Sequence, residues 1–197
     1  MLLGARLAGL PVVDIESATT IGRVRELMID PRAHRVAGVI VRARHRLARA
    51  GDDLTVPADA VHFVGAHAVT LRPFARCHEH RVLLADYPTR AALLGRQVVS
   101  WSGRVVGVVL DVLVDRWTGA VEGYVVAWRG GPPGGFGLPS ARGASVMDYV
   151  RPDEGVRIGP RLVVAPDSAV VRGARFSGRV AVDRLEEPTG WGAHARA

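Results

Sequence analysis

The only group of neighbouring residues in this sequence that resembles a metal site is Cys77-His78-Glu79-His80. A structural zinc site needs four convergent ligands, normally two pairs from different loops, and no second pair lies near this one in the sequence. A nucleophilic cysteine would need an oriented base and an oxyanion pocket, and nothing in the sequence marks either. We therefore favour a connector without a metal ion or a cofactor, and the alternative that Cys77 and His80 bind one ion stays open.

Four acidic residues could supply acid-base chemistry, and they form two sets of equal spacing: Glu26 with Asp30, and Asp111 with Asp115. Asp30 and Asp115 each open a polar turn, where a short carboxylate accepts backbone N–H bonds and fixes the chain reversal. An enzyme site seldom needs two copies of every group, and no general base is paired with a nucleophile here. We therefore predict structural roles for these carboxylates, and we predict that the chain is not an enzyme.

A glycine-rich run, GGPPGGFG at residues 130–137, follows an apolar segment as a phosphate-binding loop would. A phosphate loop is normally followed by a helix whose N-terminus holds the anion, whereas this run is followed by Leu138-Pro139. The sequence therefore predicts a flexible loop without a bound ligand.

The chain has a formal net charge of +7, and all of its basic side chains except histidine are arginines. Clustered cations favour nucleic acid because they release counterions from the phosphate backbone. The densest cluster ends in Asp52-Asp53 and holds no aromatic residue on which a base could stack. Two interpretations stay open, a solvated and self-neutralised loop, which is favoured, and a polyanion contact. The residues concerned are Arg42, Arg44, Arg46 and Arg49.

The elements that carry these residues repeat along the chain, since residues 21–43 return as residues 106–128 at a constant offset of 85. Each copy is a valine-rich run, a polar turn and a second valine-rich run, which predicts a β-hairpin. A short strand precedes each hairpin. Downstream, Val56-Pro57-Ala58 aligns with Leu138-Pro139-Ser140, and residues 64–69 align with 158–163.

Each repeat thus contains about five short strands, the number from which small, partly open barrels are built. The segment at residues 9–41, followed by LTVPADAVHFVGAHAVTL at 54–71, resembles the PRC-barrel domain. This module is shared by the photosynthetic reaction-centre H subunit and the 16S-processing ribosome-maturation factor. The resemblance covers residues 3–71 and 93–165. It implies a small β-barrel that docks other proteins and has no catalytic residues.

We accordingly predict an all-β fold of two small, partly open PRC-type β-barrels in tandem, packed on each other. Residues 1–72 form the first barrel, 73–92 the connector and 93–165 the second barrel, with an insertion at 142–156. Residues 166–197 are predicted to be a C-terminal extension with one more hairpin, from 169–172 and 179–182, and a disordered end.

The function that the resemblance implies is that of a non-catalytic adaptor, which docks a protein partner during assembly of a larger complex. The alternative is an RNA- or ribosome-associated maturation factor, which the positive charge suggests. A homo-oligomer stays open. No apolar run approaches the roughly 20 residues that cross a bilayer, so docking on a membrane complex is compatible with the sequence but spanning is not. The single Cys77 fits a reducing compartment, and we expect a cytoplasmic protein.

The aromatic residues of the second repeat stand where the first repeat has smaller or charged residues. Exposed tryptophans favour interfaces because they bury a large area at little cost in rotamer entropy. We therefore take four of them as candidate partner-binding residues, with the alternative that the last two fill the seam between the barrels. They are Trp101, Trp117, Trp128 and Tyr124.

Two glycines, Gly38 and Gly123, lie at equivalent positions of the two predicted hairpins. Glycine within a strand often marks a place where another backbone or a large side chain approaches closely. We expect such a close approach at both positions.

Overall fold

The computed structural model describes residues 1–43, 53–73, 84, 86–127, 145–176 and 191. Within these ranges the chain is all-β, with two short helices, α1 (Gly4–Leu7) and α2 (Arg90–Leu93), and single turns of 3-10 helix at Ala58–Ala60 and Asp167–Ala169. The strands are β1 (Leu2–Leu3), β2 (Pro11–Asp14), β3 (Thr19–Asp30), β4 (Arg35–Ala43), β5 (Asp53–Pro57), β6 (Val61–Val64), β7 (Val69–Leu71), β8 (Gln97–Ser100), β9 (Val105–Val114), β10 (Val121–Ala127), β11 (Ser145–Val150), β12 (Arg157–Ile158), β13 (Leu162–Ala165) and β14 (Val170–Phe176).

The strands form two sheets of the same internal order. The first sheet runs β5-β4-β3-β2-β7-β6, and the second contains β11-β10-β9-β8-β13-β12, with β14 added beside β11 and β1 paired to β9. In both sheets the long hairpin is antiparallel, and the strand before it pairs in parallel with the strand near the end of the repeat. The fold is therefore two small, partly open barrels, as the repeated sequence predicted.

The strand that follows the second hairpin is β11, so the predicted alignment of Val56-Pro57-Ala58 with Leu138-Pro139-Ser140 is wrong. Val56 of β5 pairs with Val39, and the residue that pairs with the equivalent Tyr124 is Val150 of β11. Val150, and not Leu138, therefore holds the sheet position of Val56. The predicted insertion at 142–156 contains this strand, so the extra residues of the second repeat precede β11. Sequence comparison misplaced them because added residues between two strands cost little free energy and leave no pattern of their own.

The motif after that strand was aligned correctly. In the first barrel the Gly65 N–H donates to the Ala68 carbonyl at 2.8 Å, and in the second the Gly159 N–H donates to the Leu162 carbonyl at 2.8 Å. The same tight connection joins the last two strands of each repeat.

The two barrels pack on each other about a local two-fold axis. The Val36 N–H donates to the Gly119 carbonyl, and the Val121 N–H donates to the His34 carbonyl, both at 2.8 Å. Each donor and acceptor differs from its counterpart by the repeat offset of 85. The hairpin turns of the two repeats therefore bond to each other through their main chains.

The segment that precedes each barrel pairs with a strand of the other barrel, so the two segments are exchanged across the local two-fold axis. Strand β1, which enters the first barrel, pairs with β9 of the second, where Leu3 is the partner of Leu113. Thr89, which enters the second barrel, forms an isolated bridge with Met28 of the first. Buried residues of both repeats form one hydrophobic cluster, which includes Val39 and Val69 as well as Val98 and Val163.

The C-terminal extension continues the second sheet. β14 pairs with β11, so residues 170–172 of the expected hairpin belong to the barrel sheet. The other half of that hairpin, at 179–182, lies outside the described residues. The predicted disordered end of the extension also lies outside the described residues, apart from Trp191, which is fully buried. None of the helices in the ranges given above is long and apolar enough to cross a membrane.

Candidate docking surface

The outer face of the second sheet is built from three adjacent strands, β13, β8 and β9. Val99 has Val164 and Val105 as its Cα partners on either side, which sets three valines in one row across the sheet. Val98 and Val163 are buried in the core. Because side chains alternate along a strand, the neighbouring Val99 and Val164 point outward.

A second row runs beside the first, through Leu162, Gln97 and Val108. Leu162 is 41% exposed, and Val105 of the first row is 46% exposed. Leu110 extends the apolar surface along β9 with 42% exposure. We call these residues, together with Trp101, the second-barrel face. Apolar patches that stay exposed on a folded protein often mark interaction sites.

Three of these valines have polar counterparts in the first barrel. The row that contains Val13 is completed there by Thr70 and Thr20, which stand in place of Val164 and Val105. In place of the pair Val108 and Ala127, the first barrel has Arg23 opposite Arg42. The apolar character therefore belongs to one repeat and is not a requirement of the barrel fold.

Trp101 stands at the end of this face and is 65% exposed, the largest exposure of any bulky apolar side chain in the described part of the chain. Its main-chain N–H donates to the Ala165 carbonyl at 2.9 Å, as that of Ile15 does to Leu71 in the first barrel. The ring lies close to Gly155, where a Cβ atom would come within 3.0 Å of the indole Cζ2. Trp101 is therefore the counterpart of Ile15, as predicted, and its ring projects from an ordered main chain.

Hydrogen bonds to Asp167 fix the turn that carries Trp101. The Ser102 hydroxyl donates to Asp167 Oδ1 at 2.7 Å, the Ser102 N–H donates to Oδ2 at 3.1 Å, and Arg104 Nη2 donates to Oδ1 at 3.1 Å. These donors favour the ionised carboxylate, and with the Ser102 hydroxyl as the largest cause they lower the pKa of Asp167 to about 2. The turn is therefore held by a carboxylate that is ionised at neutral pH.

The structure separates two of the other three aromatic candidates, Tyr124 and Trp117, from this face. Tyr124 is only 1% exposed and its hydroxyl lies 2.8 Å from His34 Nδ1, so it fills the seam between the barrels and is not a surface anchor. Burial raises the pKa of Tyr124 and lowers that of His34. Trp117 is half-buried against Phe63 of the first barrel, with ring centroids 4.7 Å apart. Trp128 lies outside the described residues.

Of the arginine cluster, the structure describes Arg42, which is exposed on β4. It lies directly opposite Arg23, so two guanidinium groups share this face of the first barrel. Arg44, Arg46 and Arg49 lie outside the described residues, as do the glycine-rich run at 130–137 and the segment with Cys77, His78 and His80. In the ranges that are described, no group of three His, Cys, Asp or Glu side chains is placed to hold a metal ion.

The carboxylates that open the turns have the structural role that the sequence predicted. Asp30 Oδ1 accepts the N–H groups of the residues two and three positions later, at 2.8 and 3.0 Å. Asp115 Oδ1 accepts the same two bonds at 2.9 and 2.8 Å.

Asp111 and Glu26 meet at Arg90, which sequence reasoning missed. Arg90 Nε donates to Asp111 Oδ1 at 2.5 Å, and its Nη1 lies 4.0 Å from Glu26 Oε1. Asp111 is only 7% exposed, and it also accepts the Ala5 N–H at 3.1 Å. One arginine of the connector therefore links the equivalent acids of both repeats. No local signal marked it, because the contact depends on the exchange of the entering segments.

The fold defines an all-β protein of two small, partly open barrels. The family model of the PRC-barrel domain matches residues 1–74. Residues 1–74 therefore form a PRC-barrel domain, as the sequence resemblance predicted for the first barrel. The family model does not extend to the second barrel, which is related to the first by its strand order. No curated protein matches the chain.

Proposed function

We propose that this protein is a non-catalytic adaptor that docks a protein partner on the second-barrel face. The PRC-barrel domain supports a protein-interaction or ribosome-maturation module. The observation that carries the proposal is the difference between two equivalent sheet faces, since three valines of the second barrel stand where the first barrel has threonine or arginine. A cytoplasmic location belongs to the same proposal and rests on the single cysteine of the sequence.

Core packing does not explain the apolar residues of this face. Val105 is 46% exposed, whereas Thr20 serves at the same sheet position in the first barrel. Threonine would satisfy the β-strand equally well, because both residues are β-branched. A valine at an exposed position contributes its full hydrophobic free energy only when another surface covers it.

Trp101 supports the proposal because its turn is ordered before any partner arrives. The Asp167 carboxylate and the Ala165 carbonyl fix the main chain on both sides of the ring. A side chain held in its bound geometry loses less conformational entropy on association than a mobile one. Tryptophan in such a position is typical of the few residues that dominate an interface.

A photo-crosslinking amino acid at residue 105, with residue 20 as the matched control, tests the proposal. The two sites occupy the same position in equivalent sheets. The proposal predicts a discrete crosslinked protein from residue 105, its loss on Trp101→Ala, and no such product from residue 20. Equal products from both sites would contradict it, and a product of twice the mass of the chain would identify a second copy and not a different protein.

A second candidate, an RNA- or ribosome-associated factor, is favoured by the Arg23 and Arg42 pair. Like charges directly opposite each other destabilise a sheet, so their presence suggests an anionic ligand. Arg23→Gln with Arg42→Gln should then weaken RNA binding and lower the salt slope by nearly one for each phosphate that is no longer neutralised. Val108→Arg on the second barrel serves as the control. RNA binding that is unchanged in the double variant would exclude this face as the contact.

A further inference from the structure

Trp191 occupies a closed niche between the two barrels. Its side chain is fully buried, with 0% exposure, and it is among the largest buried side chains of the described residues. The indole ring lies against Gly119, in the turn of the second hairpin. Residues of both repeats surround it, so the niche exists only where the barrels meet.

The niche satisfies every polar group of this tryptophan. The indole Nε1–H donates to the Arg116 carbonyl at 3.0 Å, and the main-chain N–H donates to the Val61 carbonyl at 3.3 Å. The main-chain carbonyl accepts a bond from Arg35 Nη2 at 2.6 Å. Buried polar groups are costly unless they are paired, so these three partners make the niche suited to an indole within a peptide chain.

Glycine at position 119 is needed for this arrangement. A Cβ atom there would lie 2.8 Å from the indole ring, and the φ angle of +72° is one that glycine adopts without strain. The equivalent residue of the first hairpin is His34, whose side chain bonds to the Tyr124 hydroxyl at 2.8 Å. In the first barrel, the His34 side chain therefore occupies the place that Gly119 leaves open in the second barrel. The niche exists on one side of the local two-fold axis only.

We infer that this niche is a binding site for a tryptophan-bearing peptide segment, and that Trp191 of the chain itself occupies it in this structure. All three hydrogen bonds use the indole or the main chain of Trp191, so a tryptophan within a peptide chain supplies every group that they need. A tryptophan-bearing segment of another polypeptide can make the same bonds. The extension has the advantage of a high effective concentration, because it is tethered to its site. The site is separate from the second-barrel face.

The first test uses the full chain with Trp191→Ala and a fluorescent peptide of residues 186–196. Saturable binding is expected, weaker by at least about 30-fold for the peptide with alanine in place of its tryptophan. The wild-type chain should bind poorly, because its own tryptophan competes. Gly119→Ala added to Trp191→Ala should abolish binding. A folded Trp191→Ala chain that does not bind the peptide would overturn the inference.

A second form of the experiment applies if Trp191→Ala does not fold. A protease site inserted between Arg184 and Leu185 lets the wild-type chain fold before the extension is cut. Retention of the cut segment on the folded body, or its replacement by labelled peptide, supports the site. Release of the segment with no uptake of peptide overturns it.

Discussion

Valine at Gly38 and at Gly123 should destabilise the protein to different extents, because different obstacles stand at the two positions. A Cβ atom on Gly38 would lie 2.7 Å from the Val56 carbonyl oxygen, which is main chain of the neighbouring strand. A Cβ atom on Gly123 would lie 2.6 Å from the ring of Tyr149. The predicted close approach is thus confirmed at both glycines, and it is a backbone in one barrel and a side chain in the other.

The size of each loss of stability depends on whether the obstacle is main chain or a side chain. Overpacking costs about 1–3 kcal/mol. Gly38→Val should cost about 3 kcal/mol in the free energy of unfolding, because β4 and β5 must separate to admit the new side chain. Gly123→Val belongs at about 1 kcal/mol, because the half-buried Tyr149 ring can turn aside. For a chain of this length, about 2–4 °C of melting temperature corresponds to 1 kcal/mol, so the expected losses are roughly 6–12 °C and 2–4 °C.

Thermal and denaturant unfolding of both variants would measure these losses. Ala37→Val is the matched control, since it adds a β-branched side chain at a half-buried position beside Gly38. Combining Gly123→Val with Tyr149→Leu should cost less than the sum of the two single changes, because the smaller side chain makes room. Unchanged melting temperatures, or a larger loss for Gly123→Val than for Gly38→Val, would refute the reasoning.

Two further predictions concern charged groups. Arg90→Met should cost about 3 kcal/mol in the free energy of unfolding, because Asp111 stays buried without its guanidinium partner, and adding Asp111→Asn should recover part of that loss in chemical denaturation. The depressed pKa of Asp167 stabilises the Trp101 turn above about pH 4, and this contribution is lost as pH falls toward 2. Amide exchange at Ser102 should therefore accelerate over that range, and Asp167→Asn should remove the pH dependence. Exchange that does not change with pH would contradict this role.

The sequence predicted those parts of the fold that depend on residues close together in the chain. The aspartates at 30 and 115 marked their turns, because a short carboxylate bonds to the next backbone N–H groups wherever it stands. The strand periodicity of each hairpin likewise follows from which face is buried. Gly38 and Gly123 were recognisable because a strand tolerates glycine poorly unless something occupies the space.

Features that depend on contacts between distant segments were missed. Nothing near Thr89 indicates that it bridges to Met28 of the other barrel, and Arg90 acquires its acidic partners only through that exchange. Trp117 was expected in a surface turn, yet the opposing barrel supplies Phe63 to cover it. The apolar second-barrel face was also missed, because its rows form only when strands that are distant in the sequence pair with one another.

The affinity of the crosslinked partner for Trp101→Ala, compared with Ile15→Ala, tests the docking surface most directly. Trp101 is 65% exposed, so burial of the remaining area of roughly 160 Å² at about 25 cal/mol/Å² has a ceiling near 4 kcal/mol. After the costs of association, a loss of about 2 kcal/mol, or about 30-fold in Kd, is expected. Ile15→Ala, at the equivalent turn of the first barrel, should leave Kd unchanged. A folded Trp101→Ala chain that binds the partner as tightly as the wild type would contradict the account.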